Sequence, residues 1–314
     1  MKNKLNYLLT IIIVTFSFFP VNAQFKNKFQ PTETIFKMPK GHFFENIATG
    51  PDQDFYITDY TGKAIYRYTK ESGLVLFKTI SGHPVSLRFD MEGNGLLTVH
   101  HTPIFAGPDF TKSMALYRIN TKGDISLLRE MPEAAFLNGI TSLNKETYLV
   151  GDAIKGIIWK VNVKTNKVSI WLKSELLTQK SSDGHIPGVN GIQVHGKEFY
   201  AVNGDRGLIL KADINQSLTP NNLKVIHENI VIDDFVLDDK KNLYATTHGD
   251  NILKIDANGT ITVLAGLEQN AIGSTAAQLG IHIGDPNSLY VVTDGGLIFG
   301  NDIGARILRI DLGK

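Results

Sequence analysis

The chain has 314 residues, with 32 Lys and Arg against 31 Asp and Glu, a net charge of +1. That balance gives no basic groove for a nucleic acid and no polybasic patch for a membrane surface, so neither partner is expected. Cysteine is absent, which excludes disulfides, thiolate metal sites and a cysteine nucleophile and leaves stability to an apolar core.

Residues 1–23 read as a secretory signal peptide. Lys2 and Lys4 precede a mostly apolar run over 8–19, and Val21-Asn22-Ala23 supplies small residues for cleavage. A bilayer span takes ~20 apolar residues; the run is shorter, so no stable membrane span is expected after cleavage. The expected mature protein, residues 24–314, is exported, periplasmic or secreted, and forms a single domain.

Beyond this segment helical periodicity is nearly absent. Short β-rich runs alternate with Gly, Asn, Asp and Lys turns, the pattern of an all-β barrel, sandwich or propeller. The runs fall into units. The first holds 45–49, 54–59, 64–69 and 74–80, and the second 85–90, 96–101, 114–120 and 124–131. The third, fourth and fifth begin at 138, 190 and 233 and repeat the plan, while the sixth, from 275, has only three runs. A leading strand every ~40–53 residues is the spacing of four-stranded propeller blades. The run over 33–38 is expected to supply the missing outer strand, so that the N-terminal strand closes the last blade of an all-β, six-bladed β-propeller. Two longer connections, 103–112 and 174–188, are expected to overhang one mouth of the channel.

The leading runs echo one another: Asn190-Gly191-Ile192, Asn138-Gly139-Ile140, Glu45-Asn46-Ile47 and Asp233-Asp234-Phe235. Taken singly, an Asn-Gly pair reads as a turn and an Asp at a strand start as a turn or cap. In register, Glu45, Val85, Asn138, Asn190, Asp233 and Thr275 face the channel together. Two carboxylates brought together there repel and lose solvation. Ca²⁺, or another divalent cation, relieves both penalties and accepts carboxylate and amide oxygens. The expected ligands are Glu45, Asn138, Asn190 and Asp233, with Val85 leaving one side apolar and open. The second runs end at the same mouth with Asp59, His100, His101, Asp152, Asn203, His248 and Asp294. Among these, His100, His101 and His248 are candidates to orient a ligand or relay a proton near neutral pH. Trp159 and Trp171 read as packing residues.

These residues resemble the senescence-marker-protein/gluconolactonase/luciferin-regenerating-enzyme-like propellers, a superfamily that includes calcium-dependent phosphotriesterases. The match falls on Glu45, Asn138, Asn190 and Asp233 and extends to Thr275-Ala276-Ala277-Gln278-Leu279-Gly280 and Leu289-Tyr290-Val291-Val292-Thr293-Asp294-Gly295-Gly296. It implies Ca²⁺ held by those four side chains. Family hydrolases often carry Asp-Gly where this chain has Asp233-Asp234, which leaves open which aspartate coordinates. The combined motifs also resemble a bacterial and fungal branch, some of whose fungal members look like pericyclases of the hetero-Diels–Alder type. The leading expectation is a Ca²⁺-dependent hydrolase of a lactone or related ester, a small-molecule substrate, with Asp233 as base or nucleophile. The alternatives are a non-catalytic ligand- or protein-binding propeller with a structural metal, and a non-hydrolytic, pericyclase-like enzyme.

Overall fold

A computed structural model describes residues 25–107, 111–180 and 186–313; the expected signal peptide lies outside them. Tight turns make each apolar run pair with its sequence neighbour. Asp90, Asn162, Asp238 and Asp256 each accept backbone N–H groups two to four residues further on. This local bonding reverses the chain without a long loop.

Two strands, β1 (Lys26–Asn27) and β2 (Thr32–Lys37), come first. Blade 1 is β3 (Phe44–Thr49), β4 (Phe55–Asp59), β5 (Ala64–Thr69) and β6 (Gly73–Thr79). Blade 2 is β7 (His83–Phe89), β8 (Asn94–His100), β9 (Met114–Asn120) and β10 (Ile125–Glu130). Blade 3 is β11 (Leu137–Asn144), β12 (Thr147–Asp152), β13 (Ile157–Asn162) and β14 (Lys167–Lys173). Blade 4 is β15 (Val189–His195), β16 (Glu198–Asn203), β17 (Leu208–Ile214) and β18 (Pro220–His227). Blade 5 is β19 (Phe235–Leu237), β20 (Leu243–Thr246), β21 (Ile252–Ile255) and β22 (Ile261–Ala265). The last is β23 (Ser274–Leu279), β24 (Ser288–Thr293) and β25 (Arg306–Asp311). Six antiparallel sheets thus form a propeller.

The ring closes where the sequence places the closure. β2 pairs antiparallel with β25, Thr34 opposite Leu308, and completes blade 6 as its outer strand. One feature has no counterpart in the sequence reading: β1 pairs parallel with β22 and adds a fifth strand to blade 5. Two residues carry too little pattern to read as a strand.

Apolar clusters sit between successive blades, one joining Leu96 and Leu116 of blade 2 to Tyr148 and Trp159 of blade 3. Another joins Trp171 and Leu149 of blade 3 to Phe199 and Leu210 of blade 4, so both tryptophans pack in the core. Polar latches reinforce these contacts at the channel. Thr58, Thr98 and Thr246, on second strands, donate to the carbonyls of Val85, Asn138 and Thr275 on the next blade's inner segment. Thr275 donates in turn to Phe44 of blade 1.

Candidate functional site

The residues singled out at the inner strand starts share one local device. The pairing of each inner strand with its neighbour slips at these positions: between Phe44 and Asn46, Pro84 and Leu87, Leu137 and Ile140, Val189 and Ile192, and Ser274 and Ala276. Glu45, Val85, Asn138, Asn190 and Thr275 fall in those slips. Asp233 and Asp234 lie just ahead of β19, bonded across to Thr246. Such bulges free a residue from the ladder and re-aim its side chain. The Asn-Gly pairs are therefore bulges within β11 and β15, not hairpin turns.

Glycine follows each asparagine because the next blade passes too close for a side chain. A Cβ on Gly139 would lie 2.5 Å from the Asn190 carbonyl oxygen, and one on Gly191 would lie 2.3 Å from Asp234 Oδ1. Instead, Gly191 N–H donates to the Asp233 carbonyl at 2.9 Å. The asparagines are thereby fixed side by side around the axis.

Their charges and contacts define the mouth. Asn190 Nδ2 donates to Asp233 Oδ1 at 2.5 Å. His248 lies between two carboxylates, with Nδ1 3.4 Å from Asp233 Oδ2 and Nε2 3.4 Å from Asp294 Oδ2. Burial opposes charge on this imidazole, but Asp233 and Asp294 outweigh it and hold its pKa well above the usual histidine value. Burial, and then Asp233, push the Glu45 carboxyl well above the usual carboxylate range, against the pull of His248. Burial and Asp233 raise Asp234 to about 7.

The expected metal ligands can be tested against these contacts. Among the described residues, neither the Glu45 carboxylate nor the buried Asn138 amide has a hydrogen-bond partner. Two acceptor groups without partners, beside Asn190 and Asp233, suit a hard cation that takes oxygen ligands. No cluster of three or more His, Cys, Asp or Glu side chains has metal-binding geometry among the described residues; half of the expected set is amide. The Thr275 hydroxyl is directed at the carbonyls of Phe44, at 2.6 Å, and Val292, at 3.1 Å, where it latches blade 6 to blade 1.

His100 is placed differently from His248. It is fully buried, with Nε2 2.8 Å from the Leu137 carbonyl and Nδ1 3.2 Å from the Tyr60 hydroxyl. Burial lowers its pKa to about 4. It is a neutral prop for Tyr60, whose hydroxyl accepts from Ile104 N–H at 2.9 Å. Asp59 and Asp152 bind backbone N–H groups of adjoining loops. Asp294 does the same for Gly296 and Ile298 while also reaching His248, a double role its strand-end position does not advertise.

The side of the mouth opened by Val85 is apolar. Phe43, Tyr60, Val85, Ile104 and Leu297 pack together, and Phe43 and Phe299 set ring edges against His248 at 5.7 Å. Phe105 and Phe299 are largely exposed. The described ends of both long connections lie on this face, Ile104 against Tyr60 and Ile186 against Gly204; their tips, 108–110 and 181–185, lie outside the described residues.

Comparison with known proteins places this geometry in context. No family model matches the chain. A candidate hetero-Diels-Alderase of Sarocladium schorii is 22% identical over 316 aligned residues, spanning 83% of this chain and 77% of that protein. The fold is that of a gluconolactonase from Xanthomonas campestris, with a TM-score of 0.67 at 10% identity over 90% of this chain and 89% of that one. It is also that of a calcium-binding regucalcin from Agrobacterium tumefaciens, with a TM-score of 0.65 at 14% identity over 91% and 95% of the two chains. Structural likeness at this identity establishes the propeller architecture and leaves the reaction to be argued from the site.

Proposed function

We propose that this is an exported hydrolase of a lactone or related ester, acting at the mouth built by Glu45, Asn138, Asn190, Asp233 and His248. The observation that carries the reading is the Asp233–His248–Asp294 array beside the two unpartnered groups, Glu45 and Asn138. The gluconolactonase and the calcium-binding regucalcin that share the fold support it.

Glu45, Asn138, Asn190 and Asp233 would hold Ca²⁺ or another divalent cation. When bound, such an ion supplies charge stabilisation for an oxyanion. The protein's own groups account for the proton movements. Asp233 takes a proton from the attacking water as its oxygen bonds to the carbonyl carbon. His248, kept protonated by its two carboxylates, gives its proton to the ring oxygen as the acyl–oxygen bond breaks. Transfer of the proton from Asp233 to His248 then restores both groups. Asp294 fixes the imidazole, and the Phe43, Tyr60 and Val85 wall receives the apolar body of the substrate. His100 supports that wall and takes no part in the proton transfers.

A panel of lactones and esters, assayed with and without chelator, tests the proposal. Asp233→Asn and His248→Gln should each lower hydrolysis by roughly 10²–10⁴-fold. Unchanged turnover in Asp233→Asn rejects its assignment as the base. The exposed Phe105 and Phe299, together with the Sarocladium relative, favour one second reading, a cyclisation of an apolar substrate without water. Product formation from a diene, insensitive to Asp233→Asn, would select it.

A further inference from the structure

Deeper than the mouth, the channel holds a cavity of about 40 Å³ lined by all six inner strands. Its polar side chains are Asn46, Arg88, Thr141, Gln193, Asp234 and Gln278. Three of their oxygens are already engaged by the next blade. Asn46 Oδ1 accepts from Leu87 N–H at 3.2 Å, Thr141 Oγ1 from Val194 N–H at 3.0 Å, and Gln193 Oε1 from Leu237 N–H at 3.0 Å. A backbone N–H can only donate, so each amide must keep its oxygen on the strand and its NH₂ group on the other side, toward the cavity. Neither NH₂ group has a partner among the described residues.

Arg88 adds the charge. Arg88 is partly buried, that burial works against its ionised form, and no hydrogen bond or ion pair joins it to another described residue. Asp234, in the same cavity, acts on it only at longer range. The lumen therefore offers a guanidinium and two fixed amide NH₂ groups against the Asp234 carboxyl, with Gln278 able to present either end of its amide. A cation would meet Arg88 head-on, with the Asn46 and Gln193 oxygens turned away.

We propose that this cavity is a binding site for a small monovalent anion, a halide or a planar oxyanion of the size of nitrate, held by Arg88, Asn46 and Gln193. The size agrees: the space fits about three waters at ~10–15 Å³ each, enough for such an ion and too little for a sugar or lactone. This site is independent of the reaction proposed for the mouth.

Crystals of the mature protein soaked in sodium bromide, with data collected at the bromine edge, test it directly. An anomalous peak is expected between Arg88 and the amides of Asn46 and Gln193. In solution, bromide should raise the melting temperature of the wild type by about 2–4 °C beyond any change the same bromide concentration causes in Arg88→Met. If that variant fails to fold, Gln193→Glu, which keeps an oxygen for Leu237 N–H and replaces the NH₂ donor with an acceptor, should reduce the shift. Absence of the peak from this cavity, or a bromide shift kept in full by a folded Arg88→Met, overturns the proposal.

Discussion

Asn190 and Gly191 show how much one dipeptide does at this mouth. The asparagine is carried by a bulge to the axis, and the glycine lets blade 5 approach. Gly191→Ala would press its methyl group against Asp234 Oδ1, at 2.3 Å, and Asp234 Cα, at 2.8 Å. The backbone cannot yield as a flexible side chain would, so the variant should lose about 1–3 kcal/mol, measured by urea unfolding. The same shift should disturb Asp233, so activity should fall further than stability alone explains. In the sequence the inner-strand positions Glu45, Asn138, Asn190 and Asp233 are legible because their spacing repeats. The partners that set their protonation are not. Asp294 looks like a turn residue, and only the fold brings it to His248, 46 residues away. His100 and His248 are likewise indistinguishable on paper, both ending second strands, yet one is buried against the Leu137 carbonyl and the other lies between carboxylates.

At the scale of the blade, alternating apolar residues and Asx turns made the strands readable to within a few residues. The exceptions have physical causes. β19 begins at Phe235, not Asp233, because Asp233 and Asp234 are drawn out of the ladder. The threonine latches between blades were invisible because threonine is also an ordinary strand former. In blade 6, Arg309 on the penultimate strand holds Asp285 through Nε at 2.7 Å and Nη2 at 3.2 Å. Arg309, foremost among its partners, lowers the Asp285 pKa to about 2. A carboxyl depressed in the folded state stabilises above its unfolded value of 3.8 and loses that contribution as pH falls through about 2. The pair is partly exposed, so Asp285→Asn should cost only about 1 kcal/mol at pH 7. The difference from wild type should shrink toward zero between pH 4 and 2, as followed by denaturant unfolding across that range.

For the whole molecule, the pairing that closes the ring is expected to carry much of the stability. Removing the residues before Gly41 would strip β2 from β25 and leave a long, apolar edge strand open at blade 6. Open edges of this kind pair with other chains, so the truncated protein should aggregate or unfold without a single cooperative transition. Size-exclusion chromatography and thermal melting would show it. A sharp, monomeric melt close to that of the untruncated protein would mean that the interblade clusters suffice without closure.

The β2–β25 pairing also fixes an order of events in the life of the chain. β2 is synthesised before any blade, yet its partner is the last strand to be made. Blades 1 to 5 can each pair their own four strands as they emerge; the sixth must wait for both ends to be present together. A ribosome stalled anywhere before β25 therefore holds an unsealed ring. Until β25 reaches β2, the sixth blade lacks its outer pairing and the ring stays open, however complete the other five blades are.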